Sequence, residues 1–273
     1  MRGARLLAVL AGFATMVAGT APAHAACPDG GCTVPSGAYH IMLPDGPGPH
    51  PAMIFLHGFG SSGKGALRMG GPIVGRGYAM IGPDGLSPPG GRSRWGLPVF
   101  GDGPRSELGF IREVIAHAAD THAIDPGRII LAGFSLGGSM ATYLACEDAD
   151  LAQAYAPIAG GFWRPHPELD ACSGPVSLFH THGWRDRTVP LEGRPLRADG
   201  SLIQGDIFYT LQVWRQANGC RGLRADTFST DENYWRRGWD SCAAGHLEFA
   251  MFPGAHGIPR GWADMILDWV EGL

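Results

Sequence analysis

Ser135 has the sequence surroundings of a nucleophile, because it lies in Gly133-Phe134-Ser135-Leu136-Gly137. This G-x-S-x-G pattern stands between an apolar run at 128–132 and a small-residue stretch at 138–146. The first predicts a buried strand and the second a helix packed closely on a sheet. Glycines on either side permit a tight, strained turn that lifts the serine clear of the sheet. A helix starting just beyond it aims backbone N–H groups at the reacting centre. The chemistry this arrangement suits is attack of a serine hydroxyl on a carbonyl carbon.

Such a hydroxyl needs a base, and the base needs an orienting acid. With a serine on a strand–turn–helix they follow in the order acid, then histidine, each at the C-terminal end of a strand. Asp186 lies just past a predicted strand at 176–181, and His256 just past another at 248–252. Asp170, Asp199 and Asp206 follow no predicted strand, and His246 precedes one, which places it at the opposite end of the sheet. His180 reads as a strand residue, His182 as support for the acid loop, and His57 as a brace for its own loop. An oxyanion would need two donors. Leu136 N–H is one, and Phe59 N–H is the other, from Leu56-His57-Gly58-Phe59-Gly60, with Gly60 as fallback.

The elements that must position these residues follow from periodicity. Strands are predicted over 38–43, 52–56, 78–81, 128–132, 154–159, 176–181 and 248–252. Helices are predicted over 106–122, 138–146, 206–217 and 262–270, with Ser106 as an N-cap. Short buried strands alternating with helices imply parallel pairing and right-handed crossovers. The fold class is α/β, a doubly wound, mostly parallel sheet with helices on both faces. Weak periodicity over 191–205 and 220–245 predicts loops or insertions near the strand ends there.

Composition sets the outer limits. The 273 residues include 43 glycines and 22 prolines, which excludes coiled coils and helical arrays. A 45% hydrophobic and 17% charged chain is not a disordered one. Net charge is −4 with no long basic run, so nucleic acid is excluded as a partner. Residues 1–25 read as a secretory signal peptide: Arg2 and Arg5 precede an apolar run at 6–19, and Ala23-His24-Ala25 supplies a cleavage site. That leaves 26–273 as a single catalytic domain, secreted or periplasmic and free of the membrane after cleavage. The six cysteines, Cys27, Cys32, Cys146, Cys172, Cys220 and Cys242, fit an oxidising compartment. Proximity favours pairing them in chain order, and no CxxC pair supports a zinc site or other metal. Among eight tryptophans, Trp163, Trp184, Trp235 and Trp239 fall in predicted loops, where they are candidates to stack on a substrate.

Taken together, the motifs resemble one group, the secreted polyhydroxybutyrate depolymerase and feruloyl esterase-like α/β-hydrolases. The matching pieces are Leu56-His57-Gly58-Phe59-Gly60-Ser61-Ser62-Gly63, Ile124-Asp125-Pro126-Gly127-Arg128 and Gly133-Phe134-Ser135-Leu136-Gly137-Gly138. Further on are His182-Gly183, Asp186, Val189-Pro190, Asn218-Gly219-Cys220 and Gly254-Ala255-His256-Gly257. The resemblance runs from about Tyr39 to the C-terminus. It implies an α/β-hydrolase fold and carboxylic ester hydrolysis through Ser135, Asp186 and His256, without a cofactor. The group often carries an Asp pair where this chain has Ser106-Glu107, and 228–241 is unusually rich in Trp and Arg. The expected function is that of a secreted serine esterase resembling polyhydroxybutyrate depolymerases, acting on a small or oligomeric ester. A feruloyl or acetyl xylan esterase is the alternative. A serine peptidase and a non-catalytic binding protein on the same scaffold stand behind it.

Overall fold

The computed structural model describes Cys27 and residues 31–273, so the expected signal peptide lies outside the described residues. Twelve strands are described: β1 (Cys32–Val34), β2 (Gly37–Met42), β3 (His50–Leu56), β4 (Ala79–Pro83), β5 (Ile124–Phe134), β6 (Ala154–Ile158), β7 (Trp163–Arg164), β8 (Ser177–Gly183), β9 (Ile203–Gln204), β10 (Thr227–Thr230), β11 (Trp235–Trp239) and β12 (His246–Phe252). The helices are α1 (Gly63–Ala66), α2 (Gly70–Gly75), α3 (Glu107–His122), α4 (Leu136–Glu147), α5 (Ile207–Ala217) and α6 (Trp262–Glu271). Ten strands form one sheet in the order β1-β2-β4-β3-β5-β6-β8-β12-β11-β10, while β7 and β9 make a separate small ribbon.

Pairing is parallel from β4 through β12 and antiparallel at both margins. Period-two alternation gives this sheet a core on each face. Along β3, Ile54 and Leu56 pack with α3, α4 and α5 residues such as Phe110, Leu144 and Trp214. Met53 and Phe55 point the other way, to Ile73 of α2 and Trp262, Ile266 and Val270 of α6. A strand buried on both sides needs cover on both, and the helices supply it.

Helix starts are fixed by capping. Ser106 Oγ accepts the Gly109 N–H at 3.0 Å, and the Asp206 carboxylate accepts the N–H groups of Phe208 and Tyr209 at 2.7 and 3.2 Å. The disulfides are Cys27–Cys32, Cys146–Cys172 and Cys220–Cys242, the pairs that proximity favours.

Of the expected loops or insertions, 220–245 is not loop throughout: β10 and β11 form an antiparallel ribbon that extends the sheet beyond β12. Its pattern was hidden by arginines that pack by their stems and planes. Arg236 lies 5.2 Å from the Phe179 ring centre and pairs with Glu248, and Arg237 lies 4.6 Å from that of Phe228. The 191–205 segment is mostly loop, apart from β9. No helix among the described residues is long and apolar enough to cross a membrane.

Candidate active site

The turn between β5 and α4 is built by close backbone approach. A Cβ on Gly133 would overlap the Gly137 carbonyl, and one on Gly137 would overlap the Leu56 carbonyl. Only glycine fits at either position, so the helix is drawn down against the sheet and the serine is pushed up. Ser135 itself holds φ 58° and ψ −119°, a conformation that L residues seldom adopt and that marks stored strain. Its N–H donates to the Ile158 carbonyl at 2.9 Å, which fixes the turn to β6.

The loops after β8 and β12 converge on this serine. His256 Nε2 is 2.9 Å from Ser135 Oγ, and His256 Nδ1 is 2.7 Å from Asp186 Oδ2. The two loops are tied to each other. Trp184 N–H donates to the Phe252 carbonyl and Arg185 N–H to the Gly254 carbonyl, both at 2.8 Å, while Arg185 Nη2 donates to the Pro253 carbonyl at 2.6 Å. The Asp186 side chain is fully buried. Burial works against its charge, but the hydrogen bond to His256, the Val189 N–H and the facing histidines hold its pKa below the usual carboxylate value. The Phe134 ring lies 4.7 Å from that of His256, tilted against it, and limits where the imidazole can swing.

His57 and His182 are buried as supports. His57 Nδ1 bonds the Gly58 carbonyl at 2.8 Å, and its Nε2 accepts the Gly85 N–H at 3.0 Å. The indole of Trp95 donates to the His57 carbonyl at 2.8 Å. Burial, only partly offset by the Gly58 carbonyl, pushes the His57 pKa down, and an Nε2 that accepts a backbone N–H carries no proton of its own. His182 Nε2 bonds the Val189 carbonyl at 2.8 Å, across the loop that carries Asp186.

A cleft of about 350 Å³ opens beside Ser135. Phe59, Phe100, Leu136, Trp163, Val189, Leu196 and Leu202 make most of its wall, with Arg94, Thr188, Arg194, Ser139 and Gln204 as its polar groups. Leu136 is the first residue of α4, so its N–H has no intrahelical acceptor. Among the described residues nothing accepts the Phe59 N–H, whereas Gly60 N–H donates to the Ser93 carbonyl at 2.7 Å. Of the expected oxyanion donors, Phe59 and Leu136 therefore face the cleft uncommitted and Gly60 does not.

The four tryptophans separate. Trp163 lines the cleft, with its indole N–H donating to Ser139 Oγ at 3.1 Å. Trp184 and Trp235 do not line it; they meet edge to face at 6.1 Å, Trp184 exposed just past β8 and Trp235 at the start of β11. Trp239 is corrected outright. It is 5% exposed, bonds the Leu223 carbonyl and packs under Arg215, so it belongs to the core of the added ribbon. Sequence reasoning missed Phe134, Phe100, Arg94 and Arg194. Phe134 was readable as the second residue of the serine motif; Phe100 ends a single 3-10 turn at Pro98–Phe100, and Arg94 and Arg194 sit in connections without periodicity.

Several known proteins share parts of this chain. Residues 105–198, which include Ser135 and Asp186, match the Phospholipase/Carboxylesterase family. Feruloyl esterase B of Piromyces equi is 28% identical over 126 residues, covering 42% of this chain and 22% of that protein. Feruloyl esterase D of Neurospora crassa is 28% identical over 174 residues, covering 58% of this chain and 57% of its own length. The chain thus spans less than two thirds of these curated relatives. Acetyl xylan esterase from Aspergillus awamori superposes with a TM-score of 0.64 over 86% of this chain and 94% of that one, at 15% identity. The Bacillus cereus carboxylesterase does so with a TM-score of 0.54 over 86% and 94%, also at 15% identity. At that identity the likeness is one of architecture, and the architecture of this chain is the α/β-hydrolase fold.

Proposed function

We propose that the protein is a secreted serine esterase that hydrolyses carboxylic esters through Ser135, His256 and Asp186. The observation that carries this reading is the hydrogen-bonded line Ser135–His256–Asp186, ending on a strained serine at the mouth of a cleft. Ser135 Oγ attacks the ester carbonyl as His256 Nε2 takes its proton. The carbonyl oxygen becomes an oxyanion held by the Phe59 and Leu136 N–H groups. Collapse expels the alcohol, which leaves with the proton from His256. Water then attacks the acyl-serine by the same route and frees the acid. Asp186 holds the imidazole in the tautomer with Nδ1 protonated and offsets its transient charge. The reaction so written needs no cofactor.

Two substrate classes are supported. The sequence motifs favour hydroxyalkanoate esters of the polyhydroxybutyrate kind, small or oligomeric. The feruloyl esterase relatives and the acetyl xylan esterase neighbour favour plant-wall carbohydrate esters. Three disulfides support an oxidising compartment, in keeping with removal of residues 1–25 as a signal peptide and 26–273 acting as one catalytic domain.

A panel of hydroxybutyrate oligomers, feruloylated and acetylated sugars and short nitrophenyl esters separates the classes. Ser135→Ala is expected to abolish turnover of every ester the wild type cleaves, and to lose labelling by a fluorophosphonate, with unchanged near-UV circular dichroism. Wild-type turnover in that variant would remove Ser135 from the reaction.

A further inference from the structure

The charged side chains on the wall of the cleft are both arginines, Arg94 and Arg194. No carboxylate lines it among the described residues, although the whole chain is net acidic at −4. Neither arginine has an ion-pair partner among those residues, as is true of most arginines of the chain, but these two alone stand on the wall of the cleft.

The Arg194 guanidinium is held in place, whereas Arg94 is an exposed side chain carried on a fixed stretch of backbone. Arg194 is half-buried, its Nε donates to the Thr188 carbonyl at 2.9 Å, and its own carbonyl accepts the Gln204 N–H at 2.9 Å. Thr188 N–H in turn donates to Asp186 Oδ1 at 2.8 Å, so the guanidinium is anchored on the loop that carries Asp186. The Arg94 backbone exchanges two hydrogen bonds with Leu86, at 2.7 and 2.9 Å. Arg92 stands close by, 5.7 Å from the ring centre of Phe59. A guanidinium fork matches a carboxylate in shape, and an apolar wall strengthens the attraction by thinning the water around it.

We propose that the preferred substrate is an ester carrying a free carboxylate on its acyl or alcohol part, which Arg94 and Arg194 bind while the ester carbonyl lies at Ser135. This rests on the reading of Ser135 as an esterase nucleophile. It divides the candidate substrates by charge, favouring hydroxyacid oligomers with a free acid end and half-esters of dicarboxylic acids over neutral esters.

Matched substrates test it. On the acyl side, nitrophenyl hemiglutarate is compared with the neutral nitrophenyl glutaramate. On the alcohol side, the butyrate ester of hydroxyphenylpropionate is compared with that of its amide. The reading is the ratio of kcat/KM, anionic over neutral, so any general loss in a variant cancels. A ratio of about tenfold or more is expected for at least one pair in the wild type, the range for a hydrogen bond to a charged group. That ratio falls towards one in the double variant Arg94→Gln/Arg194→Gln and below one in Arg194→Glu. The single Gln variants move it part of the way and keep the test decisive should the double variant fail to fold. Turnover of nitrophenyl butyrate with a wild-type ratio near one, or with a ratio the variants leave unmoved, overturns this inference alone. No turnover of nitrophenyl butyrate and no fluorophosphonate adduct overturns the esterase reading, and this inference with it.

Discussion

Asp186 accepts three hydrogen bonds: from His256 on Oδ2, and from the Thr188 and Val189 N–H groups on Oδ1. An asparagine there would have to turn its NH₂ either at those two donors or at the imidazole. In the second case the ring is forced into the tautomer that cannot take the serine proton. Asp186→Asn is therefore expected to lower kcat by about 10⁴ with the fold intact, as steady-state kinetics on a nitrophenyl ester would read. Ser135, Asp186 and His256 could be placed together from the sequence because each lies just past the C-terminal end of a strand, where chain order and sheet polarity do the sorting. Arg94 and Arg194 could not. Their placement depends on backbone bonds to Leu86 and to Gln204 of β9, contacts with no periodic trace in the sequence.

The elements around the site differ in how openly the sequence declares them. β3 and β6, and β5 over its last half, are runs buried on both faces, and β8 is buried despite its two histidines; short buried runs of this kind bounded by turn residues are hard to misread. The β10–β11 ribbon is not apolar. It holds its place through Arg236 on Glu248, Trp239 in the core and the Cys220–Cys242 bond, whose cysteines are 22 residues apart and enclose it. Asn218, beside that bond, clamps Val176 at the entry to β8 with both amide atoms, at 2.9 and 2.8 Å. Replacing both cysteines by serine is expected to cost about 3 kcal/mol, the scale for closing a loop of this size, as read by urea unfolding. The loss falls on β8 and β12, the two strands that deliver Asp186 and His256.

At the scale of the whole molecule, the buried histidines tie folding to pH. His180 is completely enclosed, with Nε2 at 3.1 Å from His182 Nδ1, and Asp186 and His256 are the titratable groups beyond. Burial, reinforced by the neighbouring ring, pushes the His180 pKa well down. Burial also lowers that of His182, against the opposing pull of the Val189 carbonyl and Asp186. Both stay neutral in the folded state at pH values where an unfolded histidine, of pKa about 6.5, takes up a proton. The unfolded state then binds more protons, so stability falls as pH drops below about 6.5, by up to about 1.4 kcal/mol per pH unit for each ring. Urea midpoints at about pH 7.5 and about pH 5 would show the loss, and His180→Leu should make it shallower.

The antiparallel margin also governs what the molecule does in the company of its own copies. Extending the sheet past β12 leaves β10 as the outermost strand, with Thr227–Thr230 exposed along their length and Phe228 half open to water. An edge of this kind offers unpaired backbone groups to any second edge that arrives. Arg224 and Arg237 lie over the Phe228 ring, so an approaching copy brings its own pair of cations against these two. Colloidal behaviour is thus written into the same Arg- and Trp-rich stretch that closes the sheet, and salt, by screening those charges, sets how near two such edges come.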